Sequence, residues 1–183
     1  MPDGPLVQCR PRPLNHSLTN PTTIPRTVLI AVEPFGEGLS AERAGAAIGR
    51  GVQAGDPSLR VDLCPIEQVA QEDERTEPGD QPATPSTPAD VSRLLQALDF
   101  DARMRAARAV VVGAERLDER TLLGSATFEI ATRARQTGVP AYAVTAENAL
   151  SLFDARILDL QVIVQARDTR ALRRAGEELA GVV

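Results

Sequence analysis

The chain has 183 residues, 43% of them apolar and only 3% aromatic, with a formal net charge of −5 and no tryptophan. That length supports one domain with a sizeable core, built from Leu, Val, Ile and Ala rather than from aromatic rings. Acids and arginines are interspersed, so no basic stripe points to nucleic acid or to an anionic membrane, and no stretch approaches the roughly 20 apolar residues that a membrane span requires.

Cysteine and lysine usage narrow the field further. Cys9 and Cys64 are the only cysteines, which implies no disulfide framework and fits a reducing cytoplasm. The N-terminus lacks the apolar h-region of a signal peptide. Every Lys or Arg position is arginine, so a lysine ammonium set on a phosphate is excluded.

In chain order, residues 1–26 carry Pro2, Pro5, Pro11, Pro13, Pro21 and Pro25 with little hydrophobic periodicity. Such a segment cannot repay its ordering entropy and is expected to be a loose tail. It contains the only histidine, His16, so histidine acid–base chemistry is not expected in the domain. Residues 27–32, TVLIAV, read as the first buried strand. A glycine-bearing loop follows over residues 33–39, and Ser40 is placed to cap a helix running through Ala41, Ala44, Ile48 and Val52, with Gly55 and Pro57 as stop signals. A glycine loop feeding a helix N-terminus can hold an anion with backbone N–H groups, and it can equally be a structural turn.

Residues 59–63, LRVDL, alternate and are expected to form a second strand. The character then changes. Glu72, Asp73, Glu74 and Arg75 form a charged run, and Pro78, Pro82, Pro85 and Pro88 recur among Gly, Ser and Thr, which makes residues 70–90 a linker by composition. Pro88 with Asp90 marks a helix start continued by Val91, Leu94, Leu95 and Leu98, and a short helical turn is expected over residues 102–107.

Val110, Val111 and Val112 form an uninterrupted β-branched run, the pattern of a strand buried on both faces of a parallel sheet. This strand is expected to stop at Gly113. A charged loop over residues 114–118 carries Glu115, Arg116 and Asp118, and Thr121 opens a helix through Leu122, Ala126, Ile130 and Ala134. Gly138 is the expected C-terminal cap. A strand at 141–145, a short helix within 146–159, a strand at 160–165 and an amphipathic helix at 169–180 complete the chain. Strands alternating with helices predict an α/β fold, a single Rossmann-like three-layer domain over residues 27–183 with a mainly parallel sheet and helices on both faces. Ligands of open α/β sheets bind beyond the carboxyl ends of strands, which makes the two loops after the first and central strands the candidate site.

Residues 100–146 begin FDARMRAARAVVVGAERLDERTLLGSAT. This run resembles the C-terminal part of bacterial glycerate kinases, whose signature reads approximately FDARLxGADLVITGEGRLDxQTLxGKxP, with Arg116, Leu117, Asp118, Thr121, Leu122 and Gly124 as the most specific shared letters. The first strand, loop and helix resemble the family's opening segment, whose loop reads PDSFKGSLSA; Phe35, Leu39, Ser40 and Ala41 keep its letters. The resemblance implies transfer of the γ-phosphoryl group of ATP to glycerate with Mg²⁺, in a two-domain protein whose N- and C-terminal segments build one α/β domain. Here the short proline-rich stretch stands in place of the second domain, so the chain reads as a shortened first domain.

Several letters depart from the family pattern. The family Asp aligns with Glu33, its Ser with Pro34, its Lys with Gly36, its Gly with Glu37 and its second Ser with Gly38. In the central loop Ala114 replaces a Glu and Glu115 a Gly, while Ser125 replaces a Lys and Thr127 a Pro. No Asp-Gly-Gly loop appears after the second strand. Two classes of function follow. In the enzyme, Arg116 clamps phosphate, Glu33 or Asp118 binds metal or takes the glycerate hydroxyl proton, and a partner chain completes the cleft. Gly36, Gly38, Ser40, Gly113, Glu115, Thr121 and Ser125 would line the ligand, a small anion such as glycerate or a nucleotide. In the other class, the domain is a degenerate kinase core kept for anion binding or assembly, with Arg116 and Asp118 a loop ion pair and Thr121 a cap. Apolar surface bared by the lost domain predicts a homodimer.

Overall fold

The computed structural model describes residues 26–36, 38–66 and 88–183. The expected tail, His16, Cys9, Glu37 and the acidic run after the second strand lie outside these residues.

The fold is α/β. Among the described residues five strands, β1 (Thr27–Val32), β2 (Arg60–Pro65), β3 (Ala109–Leu117), β4 (Ala141–Asn148) and β5 (Leu160–Gln165), form one sheet in the order β2-β1-β3-β4-β5. Every pairing is parallel. Helices α1 (Ala41–Gly55) and α6 (Thr169–Ala180) cover one face, and α2 (Pro88–Ala97), α3 (Phe100–Ala106) and α4 (Ala126–Thr137) cover the other. A short α5 (Leu152–Leu158) lies between β4 and β5.

The sequence builds these layers through strand periodicity. Side chains alternate across a strand, so β1 sends Val28, Ile30 and Val32 toward α1 and α6 and Leu29 and Ala31 toward the opposite helices. In β3, Ala109 and Val111 face the first layer and Val110 and Val112 the second. Burial on both faces is what demands an unbroken apolar run. Ala44, Ala47, Ile48 and Val52 of α1 and Leu172, Ala175 and Leu179 of α6 close one core; Leu95, Phe100, Met104, Ile130 and Ala134 close the other.

The two covering helices α1 and α6 cross at backbone contact. A Cβ added at Gly176 would run into the carbonyl oxygen of Ile48, and one at Gly51 into that of Arg173. On the opposite face Arg103 of α3 donates to both carboxylate oxygens of Asp62, at 3.0 and 2.6 Å, and to the Leu63 carbonyl at 2.6 Å. This forked pairing ties the helix layer to β2.

Several boundaries differ from expectation. β3 does not stop at Gly113: it continues to Leu117, and β4 continues past Thr145 to Asn148. The two strands extend each other, with Ala114 beside Thr145, Arg116 beside Glu147 and Leu117 beside Asn148. Polar letters hid this extension: Glu115, Arg116 and Glu147 are exposed, although Ala114 and Leu117 still pack in the second core and the ladder runs on between the two strands. The helix expected to open at Thr121 is two pieces: a 3₁₀ turn, Glu119–Leu123, and α4, separated by Gly124 at φ 97°. A left-handed residue ends one helix before Ser125 caps the next. β2 begins at Arg60 and reaches Pro65, and α3 begins at Phe100.

Candidate functional site

The strand order places a switch point between β1 and β3. From β1 the chain leaves toward α1 on one face, and from β3 toward α4 on the other, so their exits diverge and leave a crevice at the carboxyl edge. Both candidate loops lie at this edge. The Glu33 N–H donates to the Gly113 carbonyl at 2.8 Å, extending the β1–β3 ladder by one bond.

Glu33 is half-buried. Burial pushes its carboxyl above the ordinary carboxylate range, against a hydrogen bond accepted from the Thr127 N–H that favours the charged form. Thr127 is in the first turn of α4, whose cap is Ser125. The Glu33 carboxyl therefore sits at a helix N-terminus, the place where an N–H and the helix dipole would otherwise face an anion. Glu33 and Thr127 are both departures from the family letters. The shorter Asp is replaced by a longer acid, and the Pro, which has no N–H, by a residue that donates to it.

A second pair of departures meets in the same way. A Cβ added at Gly36 would lie 3.0 Å from the Glu115 Oε1. Gly36, at φ 57°, stands where the family has Lys, and Glu115 where it has Gly. The exposed Glu115 carboxylate thus lies beside the point from which the family's lysine side chain would leave. Gly38 takes φ 106°, a conformation that L side chains rarely adopt, and with Gly36 it folds the loop back so that the Phe35 N–H reaches the Leu39 carbonyl at 2.9 Å. Ser40 caps α1, accepting from the Arg43 N–H at 3.3 Å.

Arg116 is committed on both sides. Its Nε lies 2.8 Å from Asp118 Oδ2 and its NH1 3.0 Å from Glu147 Oε2. The Asp118 bond, then the Glu147 charge, raise the guanidinium pKa. Burial works against ionisation of Asp118, but the bonds from Arg116 and the Arg120 N–H outweigh it and hold the carboxyl below its ordinary value. Asp118 also caps the 3₁₀ turn: it accepts from Arg120 N–H at 2.9 Å, while its own N–H donates to Thr121 Oγ1 at 3.1 Å. Ser125 accepts from the Phe128 N–H at 3.1 Å and donates to the Thr121 carbonyl at 2.9 Å. Gly113 is buried in β3, where an added Cβ would lie 2.8 Å from a Val32 methyl; its missing side chain makes room for β1.

The candidates thus gather at one edge in three groups: Glu33 with Thr127, Glu115 over Gly36, and Arg116 with Asp118 and Thr121. Sequence reasoning missed Thr127, Thr145 and Glu147. The fully buried Thr145 hydroxyl lies 3.1 Å from the Glu115 carbonyl and 2.9 Å from that of Glu147, pinning the extended β3–β4 pair. An acid two residues beyond the apolar run of β4 was the available signal, legible only once the register was known.

The fold and its charged edge define a doubly wound, parallel α/β protein with its candidate site at the switch point. Residues 87–181 match the glycerate kinase family, and with more than half of its length covered the chain belongs to that family. The family is one of kinases, ATP-dependent transferases that act on a small molecule. Among curated proteins no sequence match is found. Among solved structures it is similar to a diflavin flavoprotein A3 from Nostoc sp., at 11% identity over 85% of this chain and 92% of that one, TM-score 0.42. It is also similar to an oxidoreductase from Corynebacterium diphtheriae, at 15% identity over 88% and 98%, TM-score 0.44.

The family implies ATP with Mg²⁺, and the described residues do not fit that group. A polyphosphate needs uncommitted donors and positive charge. Here Glu33 takes the Thr127 N–H, Glu115 lies against Gly36, and Arg116 is shared between two carboxylates.

Proposed function

We propose that this chain is a catalytically degenerate glycerate kinase-family protein, a cytoplasmic pseudoenzyme whose remaining role is assembly rather than phosphoryl transfer. The observation that carries this reading is Glu115 seated over Gly36. Phosphoryl transfer is sustained almost entirely by positioning and by positive charge around the phosphate, and a carboxylate where the family keeps its ammonium repels the group it would have to hold. The short proline-rich stretch after β2, in place of the family's second domain, supports the same reading, as does a buried, unpaired Cys64 for a reducing compartment. Small-anion binding is the weaker form of a non-catalytic role, because the edge is dominated by acids.

One observation favours a second reading. A half-buried carboxyl with a raised pKa at the end of a core strand is the setting of a general base. In this alternative Glu33 takes the glycerate hydroxyl proton and another chain supplies the missing cleft wall.

A coupled assay with ATP, Mg²⁺ and glycerate separates the two. The degenerate reading expects no turnover above background, and no thermal shift with millimolar ATP or glycerate. Turnover that is lost on Arg116→Ala or Glu33→Gln overturns it in favour of the enzyme.

A further inference from the structure

Aromatic residues are scarce in this chain, with four Phe and one Tyr. Phe35 and Phe100 are buried in the two cores and Tyr142 is 7% exposed. Phe153, at the start of α5, is 72% exposed, and Leu152 beside it 87%. Ile157 on the same helix is exposed too, and so is Leu123 at the end of the 3₁₀ turn that packs beside α5. These are four of the six large apolar side chains left exposed among the described residues, and all four lie on α5 or on the turn beside it.

Next to Phe153 the surface is concave. An open groove of about 350 Å³ is lined by Leu152, Ala155, Arg156, Asp159, Leu160 and Gln161. It runs between α5 and the start of β5, which among the described residues ends the sheet and pairs only with β4. An exposed aromatic side chain thus lies beside an open groove of mixed lining, with Leu152, Ala155 and Leu160 as its apolar part and Arg156, Asp159 and Gln161 as its polar part.

Charge on the rim is self-complementary. Arg156 makes no ion pair among the described residues, and the Asp159 carboxylate has only a long contact, 3.5 Å, from Gln161 Nε2. Arg156 and Asp159 are opposite charges on one rim, so a two-fold axis beside the groove would set Arg156 of each copy against Asp159 of the other. An isologous interface needs one patch to complement itself in this way; a partner of single-signed charge would leave either the arginine or the aspartate unpaired.

We propose that α5 and the edge of β5 bind a second copy of this chain about a two-fold axis, with Phe153 of each copy seated in the groove of the other. A stable interface buries about 800 Å² per partner and a homodimer interface is about 65% apolar, so the apolar side chains of α5 would form its centre and the polar lining of the groove its rim. A central aromatic in a pocket with a charged rim is also how binding energy concentrates. The inference rests on the assembly half of the proposed function, yet it is read by a different experiment.

Sedimentation of the full chain should give a dimer at micromolar concentration, and Phe153→Asp should weaken association at least tenfold while leaving the far-ultraviolet circular dichroism unchanged. Arg156→Glu should weaken it by a smaller factor. With p-benzoylphenylalanine at position 153, illumination should link two chains, with the adduct mapping to residues 152–161. A monomer at 100 µM, a dimer indifferent to Phe153→Asp, or an adduct within the same chain's residues 1–25 overturns the interface. An absence of kinase turnover has no bearing on it, and turnover by a protein that dimerises through this groove overturns only the degenerate reading.

Discussion

Glu33 is held between two opposing influences, burial that disfavours its charge and an N–H that favours it, and burial wins. The sign of the consequence follows from proton binding. With the folded pKa above the unfolded value, the native state binds more protons than the unfolded chain in the window between them, so stability falls as pH rises through that window. The contribution is fully present below the ordinary glutamate pKa and is lost above the raised one. Glu33→Gln keeps an oxygen for the Thr127 N–H and removes the titration. We expect the melting temperature of the parent to gain on that of Glu33→Gln as pH falls from 7 toward 4.5, and the variant to be at least as stable at neutral pH. Parallel thermal melts across that range check it, and a parent that loses ground as pH falls would contradict the assigned cause. The position of Glu33 was legible because a lone acid follows five buried letters. Its partner was not, since Thr127 lies far along the chain and its N–H carries no signature in the sequence.

At the scale of elements, the β3–α4 connection shows one set of letters read two ways. Arg116, Asp118 and Thr121 suggested both a clamp and a cap, and in the structure each makes local bonds: Asp118 ends β3 and starts the 3₁₀ turn, Thr121 answers it, and Arg116 lies across Asp118 and Glu147. Capping and charge can be separated, because Asn caps nearly as well as Asp but carries no charge. Asp118→Ala should cost about 1 kcal/mol in urea unfolding. Asp118→Asn should cost well under half of that, because exposed ion pairs contribute little. Equal losses in the two variants would put the weight on the Arg116 pair instead. The succession of strands and helices along the chain was legible because apolar runs of Val and Ile alternate with 3.6-residue periodicity, whereas their order in the sheet was not read from it. The lengths of β3 and β4 were not, because Glu115, Arg116 and Glu147 are polar at both periods and only their mutual register makes them strand.

For the whole molecule, the proposed interface on α5 predicts a link between stability and protein concentration. Both cores of the sheet are closed by their helices, so the exposed Leu152, Phe153 and Leu123 have no covering element within the described residues. A homodimer was expected from sequence on the ground of a missing domain; the proposed interface lies on one short helix, whose exposed face no periodicity could have assigned. Association with a second copy stabilises the folded chain by mass action, since the unfolded chain has no interface to offer. A hundredfold rise in protein concentration should therefore lift the melting temperature by several degrees, on the order of 5 °C for a domain of this size. In Phe153→Asp the melting temperature should be independent of concentration, because the knob that fills the groove is replaced by a charge that cannot be buried there unpaired. Calorimetric scans of both proteins at about 5 and 500 µM decide it, and a concentration-independent parent would leave the fold a self-sufficient monomer with an unexplained phenylalanine on its surface.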